Sequence, residues 1–105
     1  VSINSGGEKI FPEEVEEVLK QHPAVDDCTV VGVPNEKWGE VITAVVALRP
    51  GATVQDAALI AFARERISAY KTPKHVVVVE RIVRSPAGKA DYRWARETAK
   101  ARVGG

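Results

Sequence analysis

The chain has 105 residues, with 15 lysines and arginines against 14 aspartates and glutamates, for a net charge of +1. That length supports one modest core and excludes two, and the near-neutral balance excludes a broad field for nucleic acid or an acidic membrane. Any anion binding must therefore come from local placement. One cysteine, Cys28, rules out an internal disulfide, and with two scattered histidines no metal-ligand cluster is expected. No apolar run reaches membrane-spanning length and no signal peptide is evident, which fits a cytoplasmic setting. The sequence opens at Val1 and contains no Met, as expected of a piece of something longer.

In chain order, Ser5-Gly6-Gly7-Glu8 comes first, and its adjacent glycines allow a turn that exposes backbone to a ligand. A helix is predicted from Pro12, a residue favoured in the first turn, with Glu13 and Glu14 complementing the dipole. Val15, Val18 and Leu19 form its buried stripe, and Pro23 stops it near His22, which reads as solvated or a weak cap. Val25 to Val33 is a predicted strand, broken by Pro34-Asn35. Cys28 reads as small core filler, since no histidine stands near it in sequence to activate the thiol. Trp38, in the polar loop from Asn35 to Glu40, is either a lid over the core or a stacking surface.

Val41 to Leu48 is a second strand, closed by Pro50-Gly51. Thr53 with Asp56 makes a capping-box-like start to a helix running to about Ser68. Leu59, Ala63 and Ile67 share one face, widened by Ile60 and Phe62, and this is core. Tyr70 to Lys74 reads as a charged connector, and His75 to Val79 as a third strand with His75 at its edge. In Arg84-Ser85-Pro86-Ala87-Gly88-Lys89, Pro86 fixes its own φ and Gly88 reaches angles closed to other residues. Lys89 follows as a point charge on a long flexible stem, suited to anionic oxygens outside its own domain or simply to water. Asp91 is a predicted cap for a last helix from Tyr92 to Lys100, with Trp94 packed as core and Ala101 to Gly105 frayed. The order of elements predicts an α+β fold. It has about three main strands plus a short N-terminal hairpin, with helices packed mainly on one face.

Gly6-Gly7-Glu8-Lys9-Ile10-Phe11-Pro12-Glu13-Glu14-Val15-Glu16 resembles the glycine-rich motif opening the C-terminal domain of the adenylate-forming enzymes. That superfamily comprises acyl- and aryl-CoA synthetases, peptide-synthetase adenylation domains and luciferases. His22-Pro23-Ala24-Val25, Gly32-Val33-Pro34-Asn35 and Trp38-Gly39-Glu40 match its central segment. Lys71-Thr72-Pro73-Lys74 and Ser85-Pro86-Ala87-Gly88-Lys89 match its closing motifs, so the resemblance covers nearly the whole chain, in order. Its tone is closest to CoA ligases of fatty or other apolar carboxylic acids.

The resemblance implies that residues 1–105 are the lid domain of such a ligase, inactive alone. A large N-terminal adenylation domain would hold Mg-ATP and the carboxylic acid, and the lid itself would bind no metal. In the first half-reaction the acid attacks the α-phosphate, giving acyl-adenylate and pyrophosphate. Lys89 would bridge carboxylate and phosphate oxygens there, as a cation and not a base. In the second, the domain rotates so that Gly6 and Gly7 line a tunnel for the pantetheine arm of CoA, with Glu8 and Lys9 at its mouth. Trp38 and Tyr70 match positions near the CoA nucleotide, and Lys74 one that meets its phosphates. Thr72 stands where some CoA ligases carry an arginine, and Val83 where many members have a proline. The resemblance also allows an acyl-adenylate ligase that loads a carrier protein. Outside the family, a nucleic-acid-binding module is disfavoured by near-neutral charge and no paired strand aromatics, so no nucleic acid is expected. A protein-interaction domain using the first helix is a further alternative.

Overall fold

A computed structural model describes residues 1–103. Its elements are β1 (Ile3–Ser5), β2 (Glu8–Ile10), α1 (Pro12–Leu19), β3 (Val25–Asn35), β4 (Gly39–Leu48), α2 (Asp56–Arg64), a 3₁₀ turn (Ala69–Lys71), β5 (His75–Val79) and α3 (Tyr92–Val103). Among the described residues the strands form one five-stranded sheet with β4 at its centre. β3 runs antiparallel along one side of β4, from Val25 opposite Leu48 to Asn35 opposite Gly39. The other side of β4 is shared. The β1–β2 hairpin joins at Ser5 opposite Gly39, and β5 lies parallel from Thr43–His75 to Ala47–Val79.

Helices cover both faces, which is why β3 and β4 read as continuous apolar runs. Ile42, Ala44 and Val46 point towards α1 and α2, meeting Val15, Val18, Leu19, Leu59 and Ala63. The alternate residues Val41 and Val45, with Val31 and Val33, point to α3, whose Ala95 and Ala99 have no bulk to hold it off the sheet. Two of the three helices thus share one face, and Trp94 lies half-buried against the α3 cluster.

Four local expectations are corrected. Pro34 and Asn35 do not break β3; they stay paired with Glu40 and Gly39. Among the described strands β3 pairs only with β4, and an edge strand tolerates a proline because the missing N–H costs no ladder bond on the unpaired side. Thr53 is not the cap of α2: Gln55 holds that position without a side-chain bond, and Asp56 already lies in the first turn. α2 ends at Arg64 and not near Ser68, because Ser68 turns extended (φ −59°, ψ 146°) to enter the 3₁₀ turn. α3 does not fray from Ala101; it continues to Val103, whose side chain packs on the α3 cluster. Gly104 and Gly105, also placed in the fray, lie outside the described residues.

Candidate functional site

The glycine turn and the β3–β4 turn are stitched together at one end of the sheet. Gly6 N–H donates to the Trp38 carbonyl at 2.9 Å, and Asn4 N–H donates to Glu40 Oε1 at 2.9 Å. Asn35 Oδ1 accepts from the N–H groups of Lys37 and Trp38, both at 2.9 Å, so the loop carrying the tryptophan has a fixed shape. Gly6 sits at φ +58°, and a Cβ there would stand 2.9 Å from Trp38 Cε3. Gly7, at φ +85°, faces open space. One glycine therefore makes room for the indole, and the other leaves a bare backbone surface beside it.

These residues border a cleft of about 280 Å³ lined by Ser5, Gly6, Glu8, Trp38, Ile42, Ala69, Tyr70, Thr72 and Lys74. Trp38 is 39% exposed, which makes it a surface of the cleft and not a lid sealed over the core. The ammonium groups of Lys37 and Lys74 lie 5.2 and 4.9 Å from its ring centroid, a cationic frame for an aromatic group bearing phosphates. Tyr70 stands out from the 3₁₀ turn, which Lys71 ties to α1 through both carboxylate oxygens of Glu14 at 2.9 and 3.0 Å. Thr72 is buried and its hydroxyl donates to the Ser68 carbonyl at 3.2 Å, so it offers the cleft no charge. A larger, open depression of about 510 Å³ between α2, β5 and the end of α3 shares Lys74 but contains none of the glycines.

Five residues named from the sequence, Gly6, Glu8, Trp38, Tyr70 and Lys74, thus line one cleft, with Gly7 beside it. Lys9 lies outside the lining, its ammonium 6.0 Å from the Phe11 ring. Sequence reasoning missed Lys37, although its position next to Trp38 was signal enough.

Lys89 belongs to the other end of the molecule. Ser85 N–H donates to the Lys89 carbonyl at 2.9 Å, Gly88 N–H to the Ser85 carbonyl at 2.8 Å, and Lys89 N–H to Ser85 Oγ at 3.2 Å. With Arg84 bridged to Ala90 and Gly88 at φ +80°, this is a tight hairpin that fixes the lysine backbone. The Lys89 side chain is exposed, and among the described residues it forms no ion pair. It can project outward.

Arg84 holds the base of that hairpin to β3 by donating to both oxygens of Asp27. Burial pushes the Asp27 carboxyl up, but the Arg84 bonds and the Cys28 N–H outweigh it and hold its pKa below the ordinary value. Nearby, Glu16 of α1 reaches the outer edge of β3, where its Oε2 accepts from Val30 N–H at 3.0 Å and from the Tyr92 hydroxyl at 3.1 Å. Burial raises the Glu16 carboxyl despite those bonds, and burial followed by the Glu16 charge raises the Tyr92 phenol. Burial likewise pushes the Cys28 thiol far up, leaving it inert core filler.

Asp27 and Asn35 are eight steps apart on β3, which at the rise of an extended strand separates the two ends by about 25 Å. Among the described residues no group of three or more His, Cys, Asp or Glu side chains could hold a metal ion.

Residues 14–89 match the family described as AMP-binding enzyme C-terminal domain. The chain is 61% identical over 97 residues to 3-oxocholest-4-en-26-oate–CoA ligase of Rhodococcus rhodochrous, covering 92% of this chain and 18% of that protein. It is 56% identical over 102 residues to a medium/long-chain-fatty-acid–CoA/3-oxocholest-4-en-26-oate–CoA ligase of Mycobacterium marinum, covering 97% and 18%. Among solved structures, a Mycobacterium tuberculosis fatty acyl CoA synthetase superposes with a TM-score of 0.87 at 37% identity, over 95% of this chain and 20% of that one. The o-succinylbenzoate CoA synthetase of Bacillus subtilis, in complex with its acyl-adenylate intermediate, gives 0.84 at 37% identity over 90% and 19%. The chain therefore spans between 18% and 20% of the length of these relatives. It belongs to the AMP-binding enzyme C-terminal domain family.

Proposed function

We propose that residues 1–105 are the mobile lid of an ATP-dependent carboxylic acid:CoA ligase acting on an apolar acid, with a cytoplasmic setting suited to the free thiol of Cys28. One observation carries the reading. The hairpin of the exposed lysine is tied to Asp27 and the bare glycine surface to the β3–β4 turn, the two ends of a β3 span of about 25 Å. A rigid domain cannot offer both to one reacting centre in one orientation. It can offer them in turn.

In the first step, the acid's carboxylate oxygen attacks the α-phosphorus of ATP and the bond to pyrophosphate breaks. Negative charge spreads over carboxylate and phosphate oxygens, and the Lys89 ammonium, held out on its hairpin, stabilises it in a site closed to water. In this reading ATP and its magnesium are held by the larger N-terminal domain that the resemblance implies. In the second step, the domain turns its other end inward. Gly6 and Gly7 line the path of the pantetheine arm, with Glu8 at its mouth and Lys9 outside the cleft. Trp38 and Tyr70 flank the CoA nucleotide, and Lys37 and Lys74 face its phosphates. The thiol then attacks the acyl carbonyl, its proton leaves to solvent, and AMP departs.

The test is Lys89→Ala in the full-length ligase, read in each half-reaction. Acid-dependent pyrophosphate exchange falls by about 10²–10³-fold, the scale of one lost charge-stabilising donor, while thioester formation from supplied acyl-adenylate stays near wild type. Equal loss in both contradicts the assignment. Replacing CoA by a carrier protein in the second assay distinguishes the two acceptors.

A further inference from the structure

Two ion pairs among the described residues are close and engage both carboxylate oxygens, Lys71–Glu14 and Asp27–Arg84, and only the second involves the Lys89 hairpin. Arg84 Nε donates to Asp27 Oδ2 at 2.9 Å and Nη2 to Oδ1 at 2.7 Å, a two-pronged fork with only 29% and 26% of the side chains exposed. By contrast, Arg49 and Asp26 meet at 3.6 Å with 57% of each side chain exposed, and Arg66 pairs with its own neighbour Glu65. Exposed pairs of that kind contribute little.

The fork also joins two otherwise separate pieces. Arg84 bridges Ala90 through the backbone and sends Nη1 to the Gly88 carbonyl at 3.4 Å, so it touches both limbs of the Lys89 hairpin. Asp27 lies just after the irregularity in β3 between Val25 and Asp27, a place where a strand re-aims its side chains. Its Oδ1 additionally accepts from Cys28 N–H at 2.8 Å, which helps to fix the carboxylate that Arg84 meets. A lysine stem is flexible, so the ammonium is placed only as well as the base from which it springs.

We propose that Asp27 and Arg84 are positioning residues for Lys89, holding the hairpin base at the one height from which its ammonium reaches the reacting oxygens of the neighbouring domain. This rests on the assignment of Lys89 to adenylation. A displacement of about 1 Å at such a group costs on the order of a hundredfold, so a loosened base acts on one step alone. The glycine end, on the far side of the sheet, does not depend on it.

The experiment compares Asp27→Asn, Arg84→Lys and Lys89→Ala in the full-length ligase. Asp27→Asn lowers pyrophosphate exchange on the order of tenfold and leaves thioester formation from supplied acyl-adenylate unchanged. Arg84→Lys keeps the charge but loses the fork, and gives a smaller loss in the same step with the fold preserved. Equal losses in both half-reactions, for either variant, would mean a merely structural pair and overturn the proposal. So would unchanged exchange in both variants where Lys89→Ala abolishes it. Unchanged exchange in Lys89→Ala itself overturns the function assigned to the lysine, and the positioning role with it.

Discussion

The two ends of the β3–β4 hairpin solve opposite problems. Around the β3–β4 turn, backbone is laid bare beside an aromatic surface: Gly6 yields to the indole, Gly7 leaves its backbone open, and the Trp38 backbone is pinned by Asn35 Oδ1 and the Gly6 amide. At the Asp27 end the hairpin backbone is held and the Lys89 side chain is left exposed, with no ion pair among the described residues. The contrast among lysines is as instructive. Lys71 spends its charge on Glu14 and is structural, Lys74 lies over an aromatic ring, and among the described residues Lys89 has neither kind of partner. A charge kept without a partner inside its own domain is available to another one.

Substitutions can break this contrast one end at a time. After Lys89→Ala, the largest effect falls on the glycine surface. Gly7→Leu forces a branched side chain onto a backbone at φ +85° and into the open space beside the cleft. Thioester formation drops by at least about 10²-fold, while pyrophosphate exchange persists; a normal second step would remove the tunnel from the account. Trp38→Ala comes next. Losing one stacked base costs about 1–3 kcal/mol, so the KM for CoA rises on the order of tenfold with adenylation unchanged, as steady-state kinetics would read. An unaltered KM would return the indole to a structural role. The smallest functional effect belongs to Glu16→Ala, which strands Val30 N–H and the Tyr92 hydroxyl. Chemical denaturation should show a loss of about 2–3 kcal/mol, less for Glu16→Gln, with the ratio of the two half-reactions preserved. A changed ratio would show that α1 takes part in placing one of the ends.

What the sequence disclosed depended on range. Features written in local chemistry were legible: the start of α1 at Pro12, the limits of β5 at His75 and Val79, and Asp91 as a cap, with its Oδ1 accepting from Trp94 N–H at 3.0 Å. The glycine motif and the tryptophan loop were legible as candidate partners because family resemblance put them in register, and the structure brings them to one cleft. Local signals also misled where tertiary context prevailed. Pro34 looks like a strand breaker until β3 is seen to be an edge, and Thr53 looks like a cap until the helix is seen to begin after Gln55. The long-range side-chain pairs left no trace. Asp27 and Arg84 are 57 positions apart, and Glu16 and Tyr92 are 76 apart. No periodicity reports a contact at that distance, and charged residues in isolation read as solvated surface.

The alternation of ends is tested most directly by a distance in solution. A spectroscopic label at Ala87, on the exposed tip of the lysine hairpin, is paired with one fixed in the N-terminal domain of the full-length ligase. The buried thiol of Cys28 is not expected to compete for labelling. With acid and ATP the labels should lie close, and adding CoA to the trapped acyl-adenylate should move them clearly apart as the lysine end turns away. A separation that does not change between those states, in an enzyme that still makes thioester, would contradict the account.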